Sequence, residues 1–434
     1  MLIFMRLPLF FALGVMLALT GCSGGLSDRT RAMRTALDAG DPRLAIAHLN
    51  GELGVSRDDA RPRRLVGEQA LLLLDRATLQ QSLAQLSNSK SDYEAADKAI
   101  DMLDLSHGAS DAIGRRVLSD SAGRYVAPPH EKLLVNVLNL VNYLETGDLS
   151  GAHIEARRMS VMARYLRERD PRERRPSAAL GLGSLLAGFA YEKSGDDEEA
   201  NRYYKEANAL DWRAQSASPG DGEGDSEGSE LLVVVGWGRV PHRVAQHVPI
   251  GLALTRVSPV LAARDREAAS RLAAQGLVTW VSFPTLAPER ALDEVPTVLV
   301  DGRAVPLDAT LDVEAEVRAE WRRIEGDVMA AAVTRAVARV LVGKAIEGVA
   351  NTSEKKEVKA VGFLLSLFAQ AAMSAADVPD TRSWETLPAR VGVARVRLPP
   401  GEHRVLLRAR GSEREGKVQA TPASWHAVTL FALR

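Results

Sequence analysis

Residues 188–207, with the sequence GFAYEKSGDDEEANRYYKEA, decide the fold of the first half of this 434-residue chain. Small and aromatic residues flank a Ser-Gly-Asp-Asp turn at residues 194–197, with Gly188 and Tyr191 before it and Ala200, Tyr204 and Ala207 after it. Glycine ends a helix because it adopts a left-handed backbone easily, and aspartate caps the helix that follows. The stretch therefore predicts two helices that cross closely, since alanine leaves room for only a methyl group at the contact.

The same unit recurs closer to the N-terminus. Tyr143 precedes a Gly-Asp turn, and Ala152 follows Tyr143 by nine residues, the offset that also separates Tyr191 from Ala200. Weaker copies lie at residues 36–45 and 91–100. The spacing resembles that of tetratricopeptide (TPR) repeats, whose helical pairs stack into a curved solenoid that commonly binds a peptide or another protein. Unrelated amphipathic helices that share this turn chemistry are the alternative interpretation.

The first residues of the chain have the layout of a secretory signal. Arg6 is followed by an apolar run at residues 7–19, and no acidic residue occurs before Asp28. The run ends in a motif that resembles the lipobox of bacterial lipoproteins, Leu19, Thr20, Gly21 and Cys22. Cys22 is the only cysteine, so an internal disulfide is excluded. An ordinary signal peptide or a transmembrane anchor is the alternative, although the run is shorter than the ~20 residues that a span needs.

The lipobox resemblance implies where the protein is located. Residues 1–21 would be removed as a signal peptide, and Cys22 would carry a covalent diacylglycerol and an N-acyl lipid. Ser23 follows the cysteine, which favours lipid anchoring on the periplasmic face of the outer membrane over retention in the inner membrane. The membrane is therefore one expected partner, and a protein of the cell envelope is another. No nucleic acid is expected, because the net charge of the chain is only −1.

Composition and turn residues divide the mature chain into two parts. We expect a TPR-like helical-repeat domain over residues 22–212, an acidic Gly/Ser linker over 213–230 and a C-terminal α+β domain over 231–434. Apolar or alternating runs predict strands in the second part, at residues 231–235, 278–283, 298–300, 303–305, 391–398, 404–410 and 425–433. Residues 312–350 and 355–376 predict an inserted helical pair. The fold class is therefore multidomain α+β, a TPR-like α-helical solenoid followed by an α+β domain.

Few residues suggest a chemical site. His242 and His247 are five positions apart, and the sequence offers no third ligand at a recognisable spacing, so no metal is expected. The G-x-S-x-G string occurs only at residues 21–25 and 224–228, beside the lipobox and in the acidic linker, and neither stretch has the strand-to-helix context of a nucleophile elbow; P-loop and H-E-x-x-H motifs do not occur. We therefore predict that the protein is not an enzyme and needs no cofactor beyond its lipid. The alternative is an envelope hydrolase or transferase whose fold assembles a polar cluster around His242, His247 or Asp380.

Two further segments admit more than one interpretation. Acidic residues interrupt the arginine-rich run at residues 164–175, which favours a solvated helix end, with contact to anionic lipid headgroups as the alternative. Residues 361–376 carry no charge. We expect them to form a buried core helix, and a helix that binds a partner or inserts into a membrane is the alternative.

A signature near the C-terminus carries a family resemblance. Residues 380–388 read DTRSWETLP and residues 398–403 read LPPGEH. With the lipobox and residues 143–158, these segments resemble a family of uncharacterised bacterial lipoproteins with a TPR-like N-terminal half, a D-T-R-S-W-x-T-L-P segment and an L-P-P-G-x-H segment. The resemblance directs attention to the signature residues Asp380, Arg382, Trp384 and Pro388. Without a binding role, these residues are expected to form a loop that Trp384 pins ahead of the C-terminal strands.

These observations favour a non-catalytic role. A lipid-anchored protein with helical repeats is expected to act as a scaffold or adaptor that binds another protein of the cell envelope. A structural subunit of a larger envelope machine is one alternative. Members of the family lie near lipoprotein activators of cell-wall synthases, so the resemblance implies an accessory activator of cell-wall synthesis as another. The sequence leaves the oligomeric state and the identity of the partner open.

Overall fold

The computed structural model describes residues 25–65, 68–105, 125–169, 177–212, 216–217, 228–257, 261, 263–275, 280–290, 294–351 and 378–434. The lipobox residues Leu19, Thr20, Gly21 and Cys22 lie outside the described residues, as do most of the linker, residues 170–176 and the apolar segment 361–376. The described residues combine helices and sheets, which confirms the α+β class.

Helices occupy the described part of the chain up to residue 212. They are α1 (Leu26–Arg29), α2 (Arg31–Asp38), α3 (Pro42–Leu53), α4 (Gln69–Ser82), α5 (Leu86–Leu105), α6 (Pro129–Glu145), α7 (Leu149–Arg169), α8 (Ala178–Lys193) and α9 (Asp197–Ala209). The turn chemistry is as predicted. Gly147 and Gly195 end helices with φ of 70° and 78°, and the Asp196 carboxylate accepts from the Glu199 amide at 3.2 Å to cap α9.

The second half contains most of the strands. They are β1 (Ser216–Ala217), β2 (Ser229–Trp237), β3 (Arg243–Pro249), β4 (Trp280–Leu286), β5 (Thr297–Val300), β6 (Arg303–Val305), β7 (Ala309–Asp312), β8 (Arg390–Leu398), β9 (Gly401–Ala409), β10 (Ser412–Ala420) and β11 (Trp425–Ala432). Within the described residues of this half, three helices lie among them, α10 (Ile250–Val257), α11 (Ala263–Ala274) and α12 (Val313–Asn351).

Strand pairing gives a main sheet of order β1-β8-β2-β11, with β7 also on β8. Strand β2 pairs antiparallel with β8 and parallel with β11. A second sheet has the order β10-β9-β5-β6 and is antiparallel. Alternate residues of β2 face different layers: Leu231, Val233 and Val235 pack against the second sheet, whereas Leu232 and Val234 pack against the helices. The run at 231–235 is continuously apolar because both faces of this strand are buried.

The helical layer and the main sheet share one hydrophobic core. Leu49, Leu134 and Leu186 of the helices belong to the same buried cluster as Val393 and Phe431 of the sheet. The predicted linker therefore joins two parts that pack on each other, and its Ser216 and Ala217 pair in parallel with β8. A smaller core lies under the β3–β4 pair, where Phe283 and Val248 pack against α10, α11 and α12. The domain boundaries themselves stay a prediction.

Most predicted strands are confirmed, and the misses share a cause. The hairpin of β5 and β6 turns on Asp301 and Gly302, whose φ values are 51° and 77°. Strands β1, β3, β7 and β10 were not predicted, and each lies at the edge of its sheet. In β10, exposed residues alternate with half-buried ones until Val418. Such a strand carries little hydrophobic signal.

Candidate functional site

The signature at residues 380–388, which we call the clasp, runs between the helical layer and the main sheet. It has no regular secondary structure, yet its side chains are almost entirely inaccessible, and Trp384 and Thr386 have no exposed surface. A buried loop must satisfy its backbone polar groups within the protein. The helices supply those partners, so the clasp is held by residues that precede it by more than 200 positions.

Trp384 is the central side chain of the clasp. Its indole Nε1 donates to Thr78 Oγ1 at 3.1 Å, and its backbone amide donates to Glu131 Oε1 at 3.2 Å. The ring of Tyr93 meets the indole edge to face, with centroids 6.0 Å apart. The predicted loop pinned by Trp384 is therefore confirmed, and α4, α5 and α6 are the elements that hold it.

Two buried carboxyl groups, those of Asp75 and Glu385, connect the residues after Trp384 to the helices. Asp75 Oδ1 accepts from the amide and the hydroxyl of Thr386 at 2.9 and 3.0 Å. Glu385 Oε2 accepts from Arg34 Nη1 at 2.6 Å and from Thr30 Oγ1 at 2.8 Å. The other oxygen of each carboxyl group has no hydrogen-bond partner among the described residues. Burial, and then the neighbouring Glu385, raise the pKa of Asp75 well above its ordinary value. We assign the charge to Glu385, which Arg34 neutralises, and the proton to Asp75.

We expect Asp75→Asn to remove part of the pH dependence of stability. Because the pKa of Asp75 is raised on folding, the folded chain binds a proton that the unfolded chain releases at about pH 4. The stabilising contribution is thus complete below about pH 4 and is lost as the pH rises toward the folded-state pKa, by up to about 1.4 kcal/mol per pH unit. Urea midpoints measured across this range should fall less steeply for the variant.

The matched control for this experiment is Asp327→Asn, at an exposed position of α12. The asparagine at position 75 keeps the acceptor for Thr386 and cannot ionise. The urea midpoints of the control should change with pH as those of the unchanged protein do. Equal pH slopes for Asp75→Asn and the unchanged protein would show that Asp75 is already ionised in the folded chain.

The remaining signature residues also make internal contacts. Asp380 accepts from Arg382 Nε and Nη2 at 2.7 and 2.9 Å, and the Arg382 guanidinium lies over the ring of Tyr125. Pro388 is buried just ahead of β8. In the second segment, His403 Nδ1 contacts Asp301 Oδ2 at 2.6 Å and Nε2 contacts the Pro399 carbonyl at 2.8 Å. The two signature segments, residues 380–388 and 398–403, therefore hold their loops in place through contacts with nearby residues.

The residues predicted to pack the repeats lie where the helices cross. Ala152, Ala200 and Ala207 are buried, and a methyl group on Gly188 would come within 2.6 Å of the Tyr204 ring. Tyr143 covers Gly151, which the spacing argument missed. Tyr191 stacks between His153 and Tyr203, at centroid distances of 4.0 and 5.4 Å.

The three residues considered for catalysis make separate contacts. His247 Nδ1 lies 2.7 Å from Ser282 Oγ, and Asp380 is engaged by Arg382. Burial, followed by the charges of Arg34, Arg290 and Arg239, lowers the pKa of His242 to about 3. No group of three or more metal-ligating side chains occurs among the described residues.

An apolar pocket opens beside the clasp, where α6, α7 and α8 meet α12. Its volume is about 560 Å³. Aliphatic side chains form its walls, and they include Leu133, Ala163, Leu166, Leu180 and Ala319. His130 and Glu131 are neighbours in the first turn of α6: Glu131 binds the clasp, whereas His130 lines the pocket. No signal in the sequence indicates this pocket, because it forms where α12 meets three helices that lie far earlier in the chain.

Among the described helices, none has the length and apolarity needed to cross a bilayer. Comparison with protein-family models, curated proteins and solved structures found no match to this chain.

Proposed function

We propose that this protein is a lipid-anchored scaffold of the cell envelope that binds another protein without catalysing a reaction. In this proposal the lipid on Cys22 holds the chain on the periplasmic face of the outer membrane. The helical layer, interpreted as TPR-like repeats that stack as a solenoid, provides the binding surface. Support comes from the buried alanines at the helix crossings and from the contacts that engage His247 with Ser282 and Asp380 with Arg382.

The observation that carries the proposal is an exposed apolar pair on α7. Ile154 and Val161 are 45% and 65% exposed, whereas Ala152, Ala156 and Met159 on the opposite face of α7 are buried. They are seven residues apart, so they lie on the same face of the helix. Exposed Arg157 and Arg164 flank them. Apolar side chains ringed by polar ones are typical of a protein-binding surface. The arrangement suits a partner with an apolar centre and acidic flanks.

Site-specific cross-linking in cells tests this surface. A photo-reactive amino acid in place of Val161 should give one reproducible adduct with a second protein. Because Val161 would lie at the centre of the contact, Val161→Asp should weaken binding by about tenfold or more, since a buried unpaired charge is costly. The yield of co-purified partner measures that loss.

The control position is Asn208, which is exposed on α9. The same photo-reactive group there should give no adduct. Adducts of equal yield at Asn208 and Val161 would contradict the proposed surface, and adducts formed only with a second copy of this chain would favour self-association instead.

A further inference from the structure

We propose that the pocket between α6, α7, α8 and α12 binds a long aliphatic chain that carries an uncharged hydrogen-bonding group, such as the hydroxyl or ester of a lipid. This inference is independent of the proposed protein-binding surface, because Ile154 and Val161 do not line the pocket.

The walls of the pocket favour a flexible chain over a ring. No phenylalanine, tyrosine or tryptophan is among its described lining residues, and alanines alternate with leucines along it. Pockets that select flat ligands usually use aromatic side chains. A methylene group is about as large as a water molecule, roughly 30 Å³. The pocket volume of about 560 Å³ therefore has room for a chain of roughly 15 methylene groups.

His130 supplies the polar contact. Only 6% of this residue is exposed, and its ring makes no hydrogen bond among the described residues. A nearly buried imidazole that lines the pocket and has no protein partner in the described part of the chain leaves a hydrogen bond available to a ligand. Burial, together with the charge of Arg243, lowers the pKa of His130 to about 3. The imidazole is thus neutral, and it can exchange a hydrogen bond with a hydroxyl or carbonyl group but offers no charge to a carboxylate.

The carboxylates at the pocket do not call for a cationic ligand. Glu316 accepts from the Ser177 hydroxyl at 2.5 Å and from the Ala178 amide at the start of α8. Glu320 is bound by Arg323 at 2.8 and 3.0 Å. Both carboxylates thus have partners within the protein, and Arg167, the other charged residue of the lining, is exposed to solvent. The buried part of the lining therefore suits an uncharged amphiphile.

Calorimetric titration with n-alkanols tests the proposal directly. The probes are 1-octanol, 1-decanol and 1-dodecanol, and the protein is the full mature chain carrying Cys22→Ser, which can be purified without detergent. We expect one site per chain and an affinity that rises about fourfold per added methylene, as burial of a methylene group in an apolar site requires. Absence of saturable binding, or an affinity independent of chain length, would overturn the proposal.

Two variants locate the site. Ala163→Trp should fill the pocket and abolish binding, whereas Ser150→Trp, at an exposed position of the same helix outside the pocket, should bind normally. His130→Leu should weaken alkanol binding about threefold to tenfold and leave the alkane of equal length unaffected, because only the hydroxyl contacts the imidazole.

Circular dichroism establishes whether each variant is folded. If Ala163→Trp does not fold, the comparison of alkanol and alkane binding by His130→Leu tests the proposal instead. Equal losses of alkanol and alkane binding in His130→Leu, or equal binding by Ala163→Trp and Ser150→Trp, would show that the ligand lies elsewhere. An apolar peptide that binds this pocket when alkanols do not would replace the lipid-chain proposal with a protein ligand.

Discussion

Replacement of Cys22 by serine is expected to release the protein from the membrane completely. The lipobox would attach three acyl chains to this one thiol and its amine, and each buried methylene group contributes about 0.8 kcal/mol to anchoring. Serine has no thiol to receive the diacylglyceryl group, so this contribution disappears. Radiolabelled palmitate should be incorporated into the unchanged protein and not into the variant, which should appear in the soluble fraction of a cell lysate.

A second substitution separates anchoring from sorting. Ser23→Asp should keep the labelled lipid but move the protein from the outer to the inner membrane, as judged by density-gradient fractionation. A Cys22→Ser protein that still sediments with membranes after a carbonate wash would contradict lipid anchoring. It would favour the transmembrane anchor that the sequence left as an alternative.

Removal of the Trp384 side chain is expected to be the most damaging single change within the described residues. Truncation of a fully buried tryptophan to alanine costs about 3–5 kcal/mol, and the lost hydrogen bond to Thr78 adds about 1 kcal/mol. Whole domains are stable by only about 5–15 kcal/mol. Trp384→Ala should therefore lower the urea midpoint of unfolding strongly, and a large part of the chain should be unfolded at 37 °C.

Trp280 provides the matched control, because 61% of this tryptophan is exposed. Trp280→Ala should change the free energy of unfolding by less than about 1 kcal/mol. Trp384→Phe should give an intermediate loss, since the ring is kept and the indole N–H is not. Similar midpoints for Trp384→Ala and Trp280→Ala would show that the clasp does not hold the helical layer to the sheet.

The sequence revealed those parts of the fold whose signal is local. The apolar run at 231–235 marks a strand buried on both faces, and Gly195 with Asp196 marks a helix boundary. Strand β10 was not predicted, because its outward residues are polar, most of them charged, and its inward residues are short or polar until Val418. These predictions of secondary structure rest on local apolar periodicity. They therefore fail for an edge strand whose apolar residues do not alternate.

The partners of the clasp could not be predicted, for a different reason. Asp75 and Thr78 lie in α4, where polar residues would ordinarily mark a solvated face. In fact every residue from Ala70 to Gln81 is buried. The four consecutive leucines at residues 71–74 indicate a helix covered on all sides, and this is the one signal that could have suggested buried roles for the polar residues beside them.

The clasp also bears on when the protein can fold. Thr78 and Trp384 are 306 positions apart, and Asp75 and Thr386 are 311 apart. Contacts between such distant residues form late in folding, because a long loop must close before the contacts contribute any stabilisation. The helices that appear first from the ribosome thus lack a partner for their buried polar groups until nearly the whole chain has followed. For the exported lipoprotein that we propose, the clasp would therefore assemble after translocation, because a secretion channel accepts only extended polypeptides.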